Sequence, residues 1–127
     1  MLVVYMSLTG QTRKFVKKLD WPSIELTPDM PIVEVDEPYI IVAPTYEKEV
    51  TDILWEFVET GNNQSYLQGV AGSGNLNFNS LYCFTAKDLS HDFNVPILLL
   101  FEFQGRPSDV QKLKDEVEKL GKTSISD

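Results

Sequence analysis

Residues 7–12 read Ser-Leu-Thr-Gly-Gln-Thr, with Ser7, Thr9 and Thr12 offering hydroxyls and Gly10 letting the backbone bend. An apolar run precedes them and a helical pattern follows. A polar turn at a helix start presents free N–H groups and the positive end of the helix dipole, so it suits an anion. The Gly-Lys-Ser/Thr ending of a nucleotide P-loop is absent, and so is Gly-x-Gly-x-x-Gly. With no lysine inside, the turn fits a single terminal phosphate better than a triphosphate with magnesium. The same residues also fit a plain helix entry with polar turn residues, and the local pattern leaves both readings open.

Two later stretches bring different chemistry. Tyr46 directly follows a strong strand signal, and Phe78 and Tyr82 lie in or just after a tract containing Gly72, Gly74, Asn75 and Asn77. Aromatic faces and amides around one crevice suit a flat heterocycle with polar edges. Tyr46 and Phe78 sit among turn residues and read as exposed. Trp55 flanks a helical apolar stripe and reads as core.

Other chemistries have little support. His91 is the only histidine and Cys83 the only cysteine, so there is no histidine-rich or multi-cysteine metal site and no internal disulfide. Cys83 by itself reads as a small buried apolar residue. There is no Gly-x-Ser-x-Gly elbow. Asp52, Glu56 and Glu59 read as one solvated helix face.

Several elements must position these residues. Leu2–Met6 reads as a buried strand and Arg13–Leu19 as a helix capped by Thr12. Ile24–Leu26 is a brief strand. Pro28, Pro31 and Pro38 make residues 27–38 a loop where a crossover usually spends a helix. Tyr39–Ala43 (YIIVA) is the clearest strand. Val50, Ile53, Leu54, Phe57 and Val58 form a helical stripe closed by Gly61. Gln68–Ala71 leads a short strand into Gly72-Ser73-Gly74-Asn75. A helix through Tyr82, Ala86, Leu89 and Phe93 is expected next, capped by Asn79 or Ser80. Ile97–Phe103 is a long strand. The last helix starts from a Ser108/Gln111 capping box and closes at Gly121, leaving Lys122–Asp127 as a frayed tail.

This order predicts one α/β domain over residues 1–127, a doubly wound five-stranded parallel sheet with helices on both faces. The strand order 2-1-3-4-5 is one of two common solutions. Ligands then bind beyond the carboxyl ends of the strands, where the order reverses, and the loops at 7–12, 44–49 and 72–79 converge there.

Size and charge set the class. The chain has 127 residues, 43% hydrophobic, and a formal net charge of −8. It is long enough for a sound core, and its acidity disfavours nucleic acid and anionic lipid. No apolar run reaches the roughly 20 residues of a membrane span, and no signal peptide is evident, so a cytoplasmic protein is expected.

Ser7-x-Thr9-Gly10-x-Thr12 resembles the phosphate-loop fingerprint of flavodoxins. The chain is similar, more specifically, to the NrdI family, small flavodoxin-like proteins that work with class Ib ribonucleotide reductase. Gly69-Val70-Ala71-Gly72-Ser73-Gly74-Asn75-Leu76-Asn77-Phe78 resembles that family's glycine–asparagine loop. Asp36-Glu37-Pro38-Tyr39-Ile40 and Phe101-Glu102-Phe103-Gln104-Gly105, with Ser108-Asp109, extend the likeness over nearly the whole chain.

The resemblance implies an FMN protein that reduces O2 to superoxide. The oxidant passes to the reductase small subunit for assembly of its metal and tyrosyl-radical cofactor. An electron donor that the sequence does not name is also implied. By motif position, Ser7, Leu8, Thr9, Gly10, Gln11 and Thr12 hold the phosphate. Thr45, Tyr46 and Glu47 flank one side of the flavin ring. Ser73, Gly74, Asn75, Asn77, Phe78, Tyr82 and Cys83 line the other. No residue is expected to act as acid or base, because the cofactor carries the chemistry. A general electron-transfer flavodoxin is the alternative.

The chain departs from its relatives at Thr45-Tyr46-Glu47-Lys48-Glu49, which lacks glycine. A peptide flip needing positive φ at Glu47 or Lys48 costs on the order of 1 kcal/mol. Leu76 stands where the family often has a basic residue, and Asn79 where it often has glycine. Glu47 and Glu49 near the ring, in a chain at −8, disfavour an anionic reduced flavin and predict a low second reduction potential.

Overall fold

The structure, a computed structural model, describes residues 1–126. Its five strands are β1 (Leu2–Tyr5), β2 (Ser23–Glu25), β3 (Tyr39–Ala43), β4 (Leu67–Gly74) and β5 (Ile97–Glu102). All pair in parallel, in the order β2-β1-β3-β4-β5. The helices are α1 (Gln11–Leu19), α2 (Lys48–Glu59), α3 (Asn63–Tyr66), α4 (Phe84–Phe93) and α5 (Pro107–Ser126). A 3-10 turn spans Leu76–Leu81.

Both faces of the sheet are covered, which is why its strands read as continuous apolar runs. On one face Leu54, Phe57 and Val58 of α2 and Ala86 and Leu89 of α4 pack on Val4, Ile41 and Val70. On the other, Phe15, Val16 and Leu19 of α1 and Leu113 of α5 pack on Val3, Ile40, Val42 and Phe101. Burial of each such side chain contributes roughly 1.5–3 kcal/mol. Phe15 and Phe101 stack at 4.0 Å between ring centroids, which fixes α1 against β5.

The connection from β2 to β3 contains no helix, as its prolines predict. Buried Asn63 holds it down. Its amide nitrogen donates to the carbonyls of Val33 and Phe57, and its carbonyl oxygen accepts from Val35 N–H at 2.8 Å. Asn63 lies on α3, a four-residue helix too short for a periodic signal and absent from the sequence reading.

The helix starts differ from expectation. Thr12 does not cap α1: the helix begins at Gln11 and Gly10, at φ 90°, precedes it. The Ser7 hydroxyl takes the capping role from outside, accepting from the N–H groups of Gly10 (3.1 Å) and Arg13 (3.3 Å). Asn79 does not cap α4, because the 3-10 turn occupies its position and Cys83 precedes the helix at φ 53°; the Ser80 side chain lies outside the described ones. Ser108 does not cap α5 either. The helix starts at Pro107, and Asp109 reaches back to accept from Arg106 N–H at 2.8 Å, which is one half of a capping box.

Two ends also move. β4 runs to Gly74, because its ladder to β3 and β5 overrides the weak strand preference of glycine. α5 passes through Gly121 to Ser126, since one glycine costs about 1 kcal/mol in a helix and does not oblige it to stop. Of the tail expected to fray, Asp127 lies outside the described residues. No helix among the described residues is long and apolar enough to cross a membrane.

Candidate functional site

Because all the strand pairs are parallel, the carboxyl ends of the strands lie at one edge of the sheet. The order reverses between β1 and β3, so the loops leaving these two strands diverge and open a crevice. Its volume is about 410 Å³, within the range of small-molecule sites. The β1–α1 loop contributes Leu8, Thr9, Gln11 and Thr12, and the β3–α2 loop contributes Pro44, Thr45 and Tyr46. The end of β4 and the turn after it contribute Ser73, Gly74, Asn75 and Phe78. Phe103, just past β5, completes the wall.

At the α1 end the walls are hydroxyls and amides. Gln11 and Thr12 open the helix, and their N–H groups have no partner within the described residues. Buried Thr12 places its hydroxyl 3.5 Å from that of Ser73, which joins the β1 loop to the β4 end. Arg13 lies one residue on and donates to Glu25 twice, Nε at 2.9 Å and Nη2 at 2.6 Å. Tyr5 adds a third hydrogen bond to the same carboxylate. The Arg13 bonds hold the Glu25 carboxyl below its ordinary range, while burial, then Glu25, raises the Tyr5 phenol.

The opposite end is built from side chains. Tyr46 is lashed to α4 by a reciprocal pair: its N–H donates to the Thr85 hydroxyl at 3.4 Å, and that hydroxyl donates to its carbonyl at 3.2 Å. Thr45 donates to the Ser73 carbonyl at 2.6 Å. Asn75 shapes the next turn, its side chain accepting from Asn77 N–H and its carbonyl from Phe78 N–H. That turn carries Phe78 out to 59% exposure. Gly74 is required by close approach: a Cβ there would lie 2.9 Å from Cys83 Sγ and 3.0 Å from Cys83 N.

The residues expected to form a site therefore divide. Leu8, Thr9, Gln11, Thr12, Thr45, Tyr46, Ser73, Gly74, Asn75 and Phe78 meet in one crevice. Ser7 and Gly10 shape its loop from behind. Glu47 is exposed at the start of α2 and does not line the crevice; its carbonyl instead accepts from Val50 and Thr51. Asn77 is exposed outside the wall. Cys83 is buried beneath Gly74, its thiol raised by burial. Tyr82 faces a second, smaller cavity with Leu76, Glu102 and Arg106, and burial raises its phenol. Pro44 and Phe103 join the wall without having been expected. Pro44 follows a strand and has no polar atom to signal a role. Phe103 reads as the last residue of β5, but the strand ends at Glu102.

A phosphate, a polyol chain and a planar ring need an anion cradle at one end and flat apolar surfaces at the other. The crevice has both, so its donor set fits a flavin mononucleotide.

Comparison with known proteins agrees with this fold. The family model described as NrdI flavodoxin-like matches residues 3–115. A short-chain flavodoxin associated with a PDU bacterial microcompartment is similar in fold, with a TM-score of 0.65, 18% identity and 96% of each chain covered. The flavodoxin of Streptococcus pneumoniae TIGR4 is similar at a TM-score of 0.63 and 20% identity, over 96% of this chain and 97% of that one.

Proposed function

We propose, given that this chain belongs to the NrdI flavodoxin-like family, that it is an FMN-binding redox protein which reduces O2 to superoxide. It delivers that oxidant to the small subunit of class Ib ribonucleotide reductase, where the metal and tyrosyl-radical cofactor is assembled. The observation that supports the reading is the crevice of about 410 Å³ at the strand-order reversal, polar at the α1 end and aromatic at the other.

FMN, when bound, supplies the one-electron chemistry. The chain supplies position and charge. The hydroxyls of Thr9 and Thr12 and the N–H groups of Gln11 and Thr12 hold the phosphate, with the α1 dipole behind them. Ser7 keeps the loop in shape. Tyr46 and Phe78 orient the ring, and Asn75 and Gly74 present amide and backbone groups to its polar edge. No acid or base is needed. The net charge of −8 raises the energy of any added negative charge in the crevice, which favours passing the electron on. Leu8 and Phe78 leave an exposed apolar rim at the mouth, and Leu76 is exposed beside it at the neighbouring cavity, a surface suited to a protein partner that covers it.

The test mixes the reduced, FMN-loaded protein with O2 and scores superoxide by cytochrome c reduction sensitive to superoxide dismutase. The manganese-loaded small subunit is then added and its tyrosyl radical read by electron paramagnetic resonance. Superoxide release and a radical dependent on this protein are expected. Reoxidation without superoxide, or no radical, contradicts the proposal.

A further inference from the structure

The turn after β5 holds a residue whose backbone and side chain both call for a reason. Gly105 N–H donates to the Glu102 carbonyl at 2.9 Å, closing a four-residue turn with Phe103 and Gln104 at its centre. Phe103 has φ 55°, whereas Gln104 is not among the positive-φ residues. A turn with positive φ at its first central position normally places glycine there. A bulky aromatic at that position is an outlier that persists only where the surroundings over-determine it.

The surroundings do so. Phe103 N–H donates to the Gly74 carbonyl at 3.3 Å, tying the turn to the end of β4. Lys18 donates to the carbonyls of Gln104 and Gly105, each at 3.3 Å. Gly105 sits so close to the Phe15–Phe101 stack that a Cβ would lie 2.5 Å from Phe15.

Core packing does not repay this strain. Phe103 is 48% exposed and belongs to neither core cluster. What it does is wall the crevice, on the β5 side, with Phe78 also exposed there. We infer that Phe103 is a ring-binding residue of this crevice, held toward it by a turn that glycine would otherwise occupy. The inference rests on the flavin reading above and adds a third aromatic to the surfaces that recognise the planar ring.

The test uses the full chain, stripped of flavin, and two readouts: FMN affinity by quenching of flavin fluorescence, and thermal midpoint without ligand. Phe103→Ala and Phe103→Gly are each expected to lose FMN affinity by roughly five- to tenfold, and Phe103→Tyr to stay within about twofold of wild type. Phe103→Gly is expected to melt ~2–5 °C above Phe103→Ala, although glycine is ordinarily the less stable choice, because only glycine adopts this φ freely. Wild-type affinity in Phe103→Ala overturns the ring-binding role. A Phe103→Ala midpoint at or above that of Phe103→Gly overturns the strained turn. If the wild-type chain itself does not bind FMN, the flavin reading fails first, and the inference with it.

Discussion

The two ends of the crevice are built by opposite means. The α1 end uses backbone and short side chains already bonded to one another: Ser7 to the N–H groups of Gly10 and Arg13, and Thr12 to Ser73. The β4–β5 end uses large side chains held out from the core on an unusual backbone. Asn79, Cys83 and Phe103, all non-glycine residues with positive φ, lie along or beside it. An anion is met by many weak, convergent dipoles, so its cradle can be rigid and small. A ring is met by area, so its walls must stand free of the core before the ligand arrives.

Substitutions separate these two designs. The largest effect is expected at Gly74, where the ring end meets the core. Gly74→Ala forces a Cβ against Cys83 and the Thr45 hydroxyl. It should cost about 1–3 kcal/mol in denaturant unfolding and reduce FMN and riboflavin binding together. Full stability in that variant would mean that Cys83 moves freely and the floor is soft. Ser7→Ala comes next. It removes the acceptor for two N–H groups, should cost about 1 kcal/mol, and should weaken FMN while leaving riboflavin unchanged in a titration. Equal losses for both flavins would break the division between the ends.

A third effect depends on pH. The folded Glu25 carboxyl is held below its ordinary value of 4.5 by Arg13. The stability this pair contributes is therefore fully present above about pH 4.5 and is lost as pH falls through the lower folded value. Wild type should melt above Glu25→Gln near neutral pH, and the gap should close in acid. A gap that widens in acid would reverse the assignment. The smallest effect is expected at Glu47, which is exposed and outside the wall. Glu47→Gln should raise the potential for forming the anionic reduced flavin by the equivalent of roughly a few tenths of a kcal/mol, read by redox titration. A large shift would place this carboxylate closer to the ring than the crevice geometry implies.

The two ends also differ in how far the sequence reveals them. Strand order, the helix-free loop at 27–38 and the SLTGQT turn were legible, because hydrophobic period, proline and short polar turns are local signals. The roles inside that turn were less so: Ser7 rather than Thr12 does the capping, since the helix starts earlier than its apolar residues suggest. At the ring end the places of Tyr46, Asn75 and Phe78 in the wall were readable from their turn context, although Tyr46 is half-buried where exposure was expected. Cys83 reads as buried from its residue type, and it is; Phe103 was not legible as a wall, because tertiary bonds impose a φ that its residue type does not favour. Tyr82 was assigned to the crevice from its place in the loop, but it follows the kink at Asn79 and faces the neighbouring cavity.

In the proposed complex one crevice holds FMN by its phosphate at residues 7–12 and by its ring between aromatic walls. The most direct measurement is a parallel titration of the flavin-free chain with FMN and with riboflavin, which differ only in the phosphate. Both are expected to bind, with FMN at least about tenfold tighter, corresponding to about 1.4 kcal/mol from the phosphate end. Equal affinities, or no binding of either flavin, would contradict that mode of binding.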